Sequence, residues 1–469
     1  MKNTKIVATI GPATETEEVL EQLMMAGMNI ARFNTKHSDP AWHNERIRRA
    51  KKVAAKLNRP LGILLDLQGP EIRIVLPGEK PFSVTKGESV FFTSDEKLGK
   101  PKMAIIPQSV VESLKVGNDV LLDDGACEFS IIDHTGTTIE CQALIDCEVG
   151  HRKTMNTPGV VLDMPSLTER DYLYIDGVDP ELIDFVGLSF VRNAADIAIL
   201  KKELAKRNIK ADIIAKIENQ AALDNIEEII EASEAVMVAR GDLGVEVAYQ
   251  ELIYWQQQLI DRCREAGKPV ITATQMLKSM VKKSRPTRAE VSDVAHAIYD
   301  GTDAVMLSEE TTIGDYPVKA VSIQATIAEF NEPKAYERLP MVVAETSDVA
   351  TAITQAAIDL LSDTSLKIDK IVCLTETGRT ARLISRYRPL TPVHAITSSE
   401  LVKNKLALCY GVQSHVLEFA DNDLKAEDTL VEKCKAAGIV NAGEQILLVS
   451  GSAWKHPGLT NTLRVVTIE

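Results

Sequence analysis

Two short segments carry the densest chemistry in the sequence: Ile214-Ala-Lys216-Ile-Glu218-Asn219 and, one helix later, Met237-Val-Ala239-Arg240-Gly241-Asp242-Leu-Gly244. Each closes a β-branched run, so Glu218 and Asp242 would stand at adjacent strand ends. Two carboxylates in that relation suit a hard divalent cation, Mg²⁺ or Mn²⁺, which keeps waters and takes further oxygens from a substrate. Lys216 beside them would serve phosphoryl transfer, where catalysis is mostly positioning and neutralising charge on the moving group. The alternative for the same three residues is a buried salt-bridge network with no reaction attached. The glycines after Arg240 let backbone approach a ligand, and amides at the following helix start could hold a carboxylate. Thr272, Thr274 and Gln275 add neutral groups at the next strand end, although many strands end in threonine.

Such groups must be gathered by parallel strands. Eight apolar runs recur, each followed by helical periodicity: residues 5–10, 28–33, 61–66, 182–189, 212–216, 235–239, 269–273 and 304–308. This is the sequence form of repeated βα units, and eight is the number that closes a (β/α)8 TIM barrel. Arg32, Asp66, Ser189, Lys216, Asp242, Thr274 and Glu310 fall at or just past the C-terminal ends of these runs, where such barrels place active sites. In the first helix Thr14 and Glu17 fit a capping box, Val19, Leu20, Leu23 and Met24 make one apolar face, and Gly27 ends it. Two regions break the rhythm. Residues 73–166 alternate apolar and polar positions in short segments, which predicts a small β-barrel domain inserted in a barrel loop. From residue 338 to 469 the βα pattern restarts at 370–375, 391–396, 412–417 and 445–450, enough for a separate α/β domain, with 339–347 as its connection. The catalytic barrel then comprises residues 1–72 and 167–337.

Composition narrows the partners. A formal charge of −14 argues against general binding to nucleic acid or anionic membranes, so an anionic ligand must be met by specific Lys and Arg. Seven cysteines without a CxxC pair read as core fillers in a reducing compartment. The start of the chain is too short in apolar residues for a signal segment, and no run approaches a membrane span. A soluble, cytoplasmic protein is expected.

The motifs taken in order resemble the pyruvate kinase family from end to end: Lys5-Ile-Val-Ala-Thr-Ile-Gly-Pro12, Arg32-Phe-Asn34 with His37, Gly69-Pro-Glu-Ile-Arg73, Lys216-Ile-Glu218-Asn219, Met237 to Gly244, Ala273-Thr-Gln-Met-Leu277, Arg285-Pro-Thr-Arg-Ala-Glu290 and Asp300 to Ser308. The resemblance implies a barrel, a mobile inserted lid and a C-terminal regulatory domain, assembled as a homotetramer. It implies transfer of the phosphoryl group of phosphoenolpyruvate to ADP, giving pyruvate and ATP. By position, Glu218 and Asp242 would hold Mg²⁺ or Mn²⁺, and Lys216 and Arg32 would stabilise the moving phosphoryl group. Thr274 would lie where the enolate is protonated, and the backbone at Ala239, Arg240 and Gly241 would hold the substrate carboxylate. Asn34, His37 and Arg73 match residues that touch nucleotide phosphates, Lys153 and Asp123-Asp124-Gly125 match the lid side, and Trp42 falls where a ring lies near adenine.

The sequence departs from the family at the monovalent cation site. Where the family has a serine oxygen for K⁺ this chain has Lys36, and Leu67 and Gln68 follow Asp66. An ammonium can sit where K⁺ would, with Asp66 as partner and Asn34 nearby, which predicts activity without K⁺. K⁺-independent relatives that share Leu and Gln carry a Lys at the position of Glu71, whereas this chain keeps the acid, so an impaired site is the alternative. Smaller departures are Glu309, Thr154 and Thr157. In the C-terminal region, Thr375-Glu-Thr377-Gly378-Arg379-Thr380 follows a strand and opens a helix, and a second piece containing Trp454 and Gly458 resembles the family's effector loop. Together they suggest an allosteric site for a phosphorylated metabolite. Competing readings are a metal-dependent lyase or aldolase acting on an oxoacid without nucleotide, and a catalytically weak metabolite-binding protein.

Overall fold

The computed structural model describes residues 2–342, 348–362, 365–418, 427–451 and 460–469. All eight apolar runs form strands: β1 (Lys5–Thr9), β2 (Ile30–Asn34), β3 (Gly62–Asp66), β4 (Phe185–Leu188), β5 (Asp212–Ile217), β6 (Ala235–Ala239), β7 (Val270–Ala273) and β8 (Ala304–Leu307). They close into one parallel barrel in which every strand neighbours its predecessor and successor in sequence, β8 returning to β1. Both faces of each strand are covered, which is why the runs read as continuous rather than alternating apolar sequence. Val7, Ile30, Leu64, Phe185, Ile214, Met237 and Ile271 fill the interior, and Ala407 and Leu408 from the C-terminal region join this cluster at the barrel floor.

The first helix, Glu17–Ala26, is capped differently from the sequence reading. Thr16, not Thr14, accepts from Val19 N, while the Thr14 hydroxyl is used in the preceding turn, donating to Thr311 O (2.8 Å) and accepting from Gly11 N. Gly27 closes the helix at φ 124°, a value open to a residue without Cβ.

Between β3 and β4 the chain builds a six-stranded sheet and a two-stranded ribbon, Phe82–Val84 with Cys147–Val149, around a core of its own that includes Val90, Phe92, Phe129 and Cys141. It leaves and re-enters the barrel through two segments lying side by side, bridged at Arg73↔Thr154. At this crossing the Asn156 amide donates to Glu246 Oε1 at 3.1 Å, fastening the returning segment to the barrel.

The C-terminal region forms a five-stranded sheet in the order Val412–Val416, Val393–Thr397, Lys370–Leu374, Gln445–Gly451, Thr460–Thr467. The first four correspond to predicted runs; the last, antiparallel strand has only half-buried and exposed residues. Beside the apolar contact of Ala407 and Leu408, its junction with the barrel floor carries buried charge. Arg388 and Asp303 pair at 2.6 Å with side chains 2% and 4% exposed, and Asp303 also accepts from Tyr410 N. Among the described residues no helix is long and apolar enough to cross a membrane.

Candidate active site

The C-terminal ends of β1 to β7 converge on a buried chain of charges. Arg32, at the end of β2, donates through Nε to Asp66 Oδ2 (2.6 Å) and through Nη1 to Thr9 Oγ1 (2.8 Å). Asp66 ends β3, in register with Asn34 and Gly187. Its other oxygen lies 3.4 Å from Lys216 Nζ, which also contacts Glu218 Oε1 (2.8 Å) and donates to Ser189 Oγ (2.6 Å). Asp66 therefore orients both cations at once. Burial works against charge on Asp66, but Lys216 and Arg32 overcome it and hold the carboxyl below its usual range. Burial likewise opposes the Lys216 ammonium, and Asp66 and Glu218 outweigh it, leaving the amine protonated well above its ordinary value.

Glu218 is the exception. Burial pushes its carboxyl up to about 7, with Asp242 adding repulsion, despite Lys216 and a hydrogen bond from Phe190 N at 2.7 Å. A carboxyl in that state, beside a half-buried second acid, is what a cation site looks like to its ligands before a cation neutralises them. No group of three or more His, Cys, Asp or Glu suited to a metal occurs among the described residues. Two protein carboxylates leave the remaining positions to waters and substrate oxygens, the coordination Mg²⁺ prefers.

Lys36 does not take the partner foreseen for it. Its Nζ pairs with Glu71 Oε1 at 3.2 Å, because Asp66 is already enclosed by Arg32 and Lys216. Lys36 still adds to the positive field felt by Asp66. Other oxygens of the family's monovalent site have protein partners: Asn34 Oδ1 accepts from Lys36 N (3.0 Å) and Leu67 O accepts from Ser189 Oγ (2.8 Å). The Leu67 side chain is core.

Thr274 occupies a left-handed backbone conformation, φ 70°, costly for a β-branched residue. Arg240 restrains it. The guanidinium donates to Ala273 O (3.1 Å) and Thr274 O (2.7 Å) and is itself gripped by Asp293 through two bonds of 2.6 and 2.7 Å. The Arg240 side chain is thus spent on Asp293 and the end of β7, and Ala239 and Gly241 contribute backbone at the start of the Arg240–Glu246 helix that carries Asp242. Asp293 escaped the sequence reading. Its signal was position: one turn beyond Glu290, on the helix opened by the Thr287–Glu290 capping box.

Arg73 and Lys153 lie where the two crossing segments meet the mouth: Arg73 bonds Glu71 and Arg152 O, and Lys153 pairs with Asp123 at 2.6 Å. Asp123, Asp124 and Gly125 are consecutive left-handed residues, φ 52°, 56° and 86°. Asp124 is held above its usual range by burial and then by Asp242, so this turn lies within electrostatic reach of Asp242. His37 is exposed, its carbonyl accepting from Tyr174 Oη, while Trp42 has Arg46 stacked 4.3 Å over its ring. Glu310, by contrast, accepts from the backbone of Leu277 and Ser308 and is structural.

In the C-terminal sheet Gly378, φ 81°, precedes the Arg379–Ser385 helix. Thr375 is buried and Thr377 exposed; the Thr380 hydroxyl meets Thr460, Arg379 pairs with Asp348, and Glu376 accepts from Ser398. Trp454 and Gly458 lie outside the described residues.

A closed (β/α)8 barrel with buried cations and carboxylates at the C-terminal strand ends is an enzyme architecture built for an anionic substrate. Comparison with known proteins makes this specific. Residues 1–321 match the family model described as pyruvate kinase, barrel domain, and residues 351–466 match pyruvate kinase, alpha/beta domain. The chain is 40% identical to the pyruvate kinase of Clostridium acetobutylicum over 481 residues, covering 100% of both, and 40% identical to that of Bacillus licheniformis over 474 residues, covering 100% of this chain and 81% of the relative. A crystal structure of a pyruvate kinase from Cryptosporidium parvum superposes with a TM-score of 0.90 at 32% identity, over 100% of this chain and 96% of that one. The chain belongs to the pyruvate kinase family, enzymes that interconvert phosphoenolpyruvate and ADP with pyruvate and ATP.

Proposed function

We propose that phosphoryl transfer takes place against the Arg32–Asp66–Lys216–Glu218 chain, and that this buried alternation of charge is the single observation carrying the assignment of roles. Arg32 and Lys216, held rigidly by Asp66, offer two permanent positive charges to the phosphoryl oxygens as they leave phosphoenolpyruvate. Such fixed charges need no reorganisation as the reaction proceeds. Glu218 and Asp242 would hold Mg²⁺ or Mn²⁺, which supplies neutralising charge to the carboxylate and phosphate oxygens when bound. Thr274, fixed by Arg240, lies against Gly241 and would deliver a proton, through water, to the enolate carbon. Asn34, His37, Arg73 and Lys153 would receive the nucleotide phosphates. A coupled lactate dehydrogenase assay with phosphoenolpyruvate, ADP and Mg²⁺ tests the reading, with Lys216→Met reducing turnover by at least about a hundredfold. Pyruvate formation that ignores ADP, or a Lys216→Met enzyme at full rate, would overturn it.

The activity is also proposed to proceed without K⁺. The Lys36–Glu71 pair supports this, since it brings a fixed charge into the region where relatives recruit an ion. Regulation by a phosphorylated metabolite at Thr375, Thr377, Gly378, Arg379 and Thr380, with Trp454 and Gly458, is the companion proposal. Titrating AMP, ribose 5-phosphate, glucose 6-phosphate and fructose 1,6-bisphosphate against phosphoenolpyruvate half-saturation tests it, and no shift with any of them removes it. Family membership supports a cytoplasmic homotetramer, which light scattering checks.

A further inference from the structure

Where the barrel floor meets the C-terminal sheet, a small, half-open chamber is lined by Arg264, Lys268, Arg382, Arg386, Arg388 and one carboxylate, Asp303. Its cations come from both sides: Arg264 and Lys268 from the end of the Leu252–Ala266 helix and the turn after it, the other three from the Arg379–Ser385 helix and its exit. Arg264, Arg386 and Arg388 are 3%, 3% and 2% exposed. Water therefore does little to screen them.

The carboxylate cannot balance five cations. Asp303 is committed to Arg388, to Val270 N (3.1 Å) and to Tyr410 N (3.0 Å). Three acids at the edge help weakly: Asp261 stands 3.4 Å from Arg264 and is about a third exposed, Asp212 stands 3.7 Å from Arg382, and the field of Glu234 reaches Lys268. Lys268 spends its donors on the carbonyls of Ile230, Glu231 and Ser233, and Arg386 on Glu265 O and the Tyr387 hydroxyl. These contacts satisfy hydrogen bonds but bring no negative charge. The Nε groups of both Arg264 and Arg386 are buried without an acceptor among the described residues. Burial and the nearby Arg388 push Arg264 down to about 10, the mark of a cation short of counter-charge.

We propose that this chamber binds a single monatomic anion, chloride, as the counter-ion that lets the two sets of cations meet at the junction between barrel and C-terminal sheet. The dimensions select the guest. A water would satisfy the Nε–H groups while leaving the charge unbalanced, so the lining calls for an anion, and the narrowness of the space favours a single-atom one. A bound halide ties Arg264 of the barrel to Arg386 of the C-terminal unit, so its occupancy sets how firmly the two are joined.

Two measurements decide the matter. The first is thermal unfolding of the full chain in mixtures of sodium chloride and sodium gluconate at constant ionic strength. The expected result is a saturating rise of roughly 2 °C as chloride replaces gluconate, since a ligand bound only by the folded state stabilises it. Arg386→Gln, which keeps a hydrogen-bonding side chain and removes one cation, is expected to flatten this response. The second needs no variant: crystals grown in gluconate and soaked in sodium bromide should show an anomalous peak between Arg264, Arg386 and Arg388. Equal melting in chloride and gluconate, with no bromide peak in the chamber, overturns the proposal. So does stabilisation by phosphate but not by chloride, which would mean that the junction opens for an oxyanion instead.

Discussion

Replacing Lys36 by serine restores an oxygen ligand and removes one positive charge, so it should convert a K⁺-indifferent enzyme into a K⁺-dependent one. The size of the effect follows from the site. Lys36 Nζ lies 3.2 Å from Glu71, with 30% of its side chain exposed, and its field reaches Asp66. A unit charge about 4 to 6 Å from another contributes about 3 to 4 kcal/mol at an effective dielectric near 20. Halving this for solvent screening leaves about 2 kcal/mol, or about 30-fold in rate. The assay is coupled pyruvate formation with tetramethylammonium as the monovalent cation, repeated with KCl. The native chain should run equally in both. Lys36→Ser should fall about 30-fold in tetramethylammonium and recover in KCl, because the serine hydroxyl, Asn34 and the Glu71 carboxylate released from Lys36 can then enclose an ion. Lys36→Met should fall equally and stay low, having no oxygen to offer. A native enzyme stimulated manyfold by KCl, or a serine variant indifferent to it, would refute the reasoning.

Thr274→Gly should separate stability from activity: glycine accepts φ 70° freely, so unfolding free energy should rise by roughly 1 kcal/mol in denaturant titration while turnover collapses. Divalent ion affinity should weaken on acidification, about tenfold per unit below pH 7, because Glu218 with its carboxyl at about 7 must lose a proton to become a ligand. Calorimetry of Mn²⁺ binding in buffers of different ionisation enthalpy should register the released proton, and a pH-independent affinity between 6 and 7 would contradict the assignment. Asp303→Ala strips the buried Arg388 of its partner and should destabilise the chain by about 3 to 5 kcal/mol in urea unfolding.

The barrel was legible because strands covered on both faces must be apolar at consecutive positions, and each run ends where the chain turns polar at the mouth. Residues fixed by their own strand end were legible for the same reason: Arg32, Asp66, Lys216 and Glu218 do converge. What local sequence does not encode is the choice among partners distant in the chain. Lys36 had two acids within reach, and only the prior enclosure of Asp66 by Arg32 and Lys216 sends it to Glu71. The Arg240–Asp293 clamp spans 53 positions and carries no local signature. Thr14 with Glu17 had the right spacing for a cap, but the loop's contact with Thr311 had already claimed the hydroxyl.

The bridge Arg73↔Thr154 has a further consequence. Because the outgoing and returning segments are adjacent at the barrel rim, the intervening sheet enters and leaves through one hydrogen-bonded doorway, steadied on the returning side by Asn156 and Arg192. An insertion with that topology is modular: it can be lengthened, exchanged or excised by joining two neighbouring positions, without unthreading a strand or altering the order in which the barrel closes. The charged strand ends of the barrel and the inserted sheet are thus separate pieces of the chain joined at a single rim.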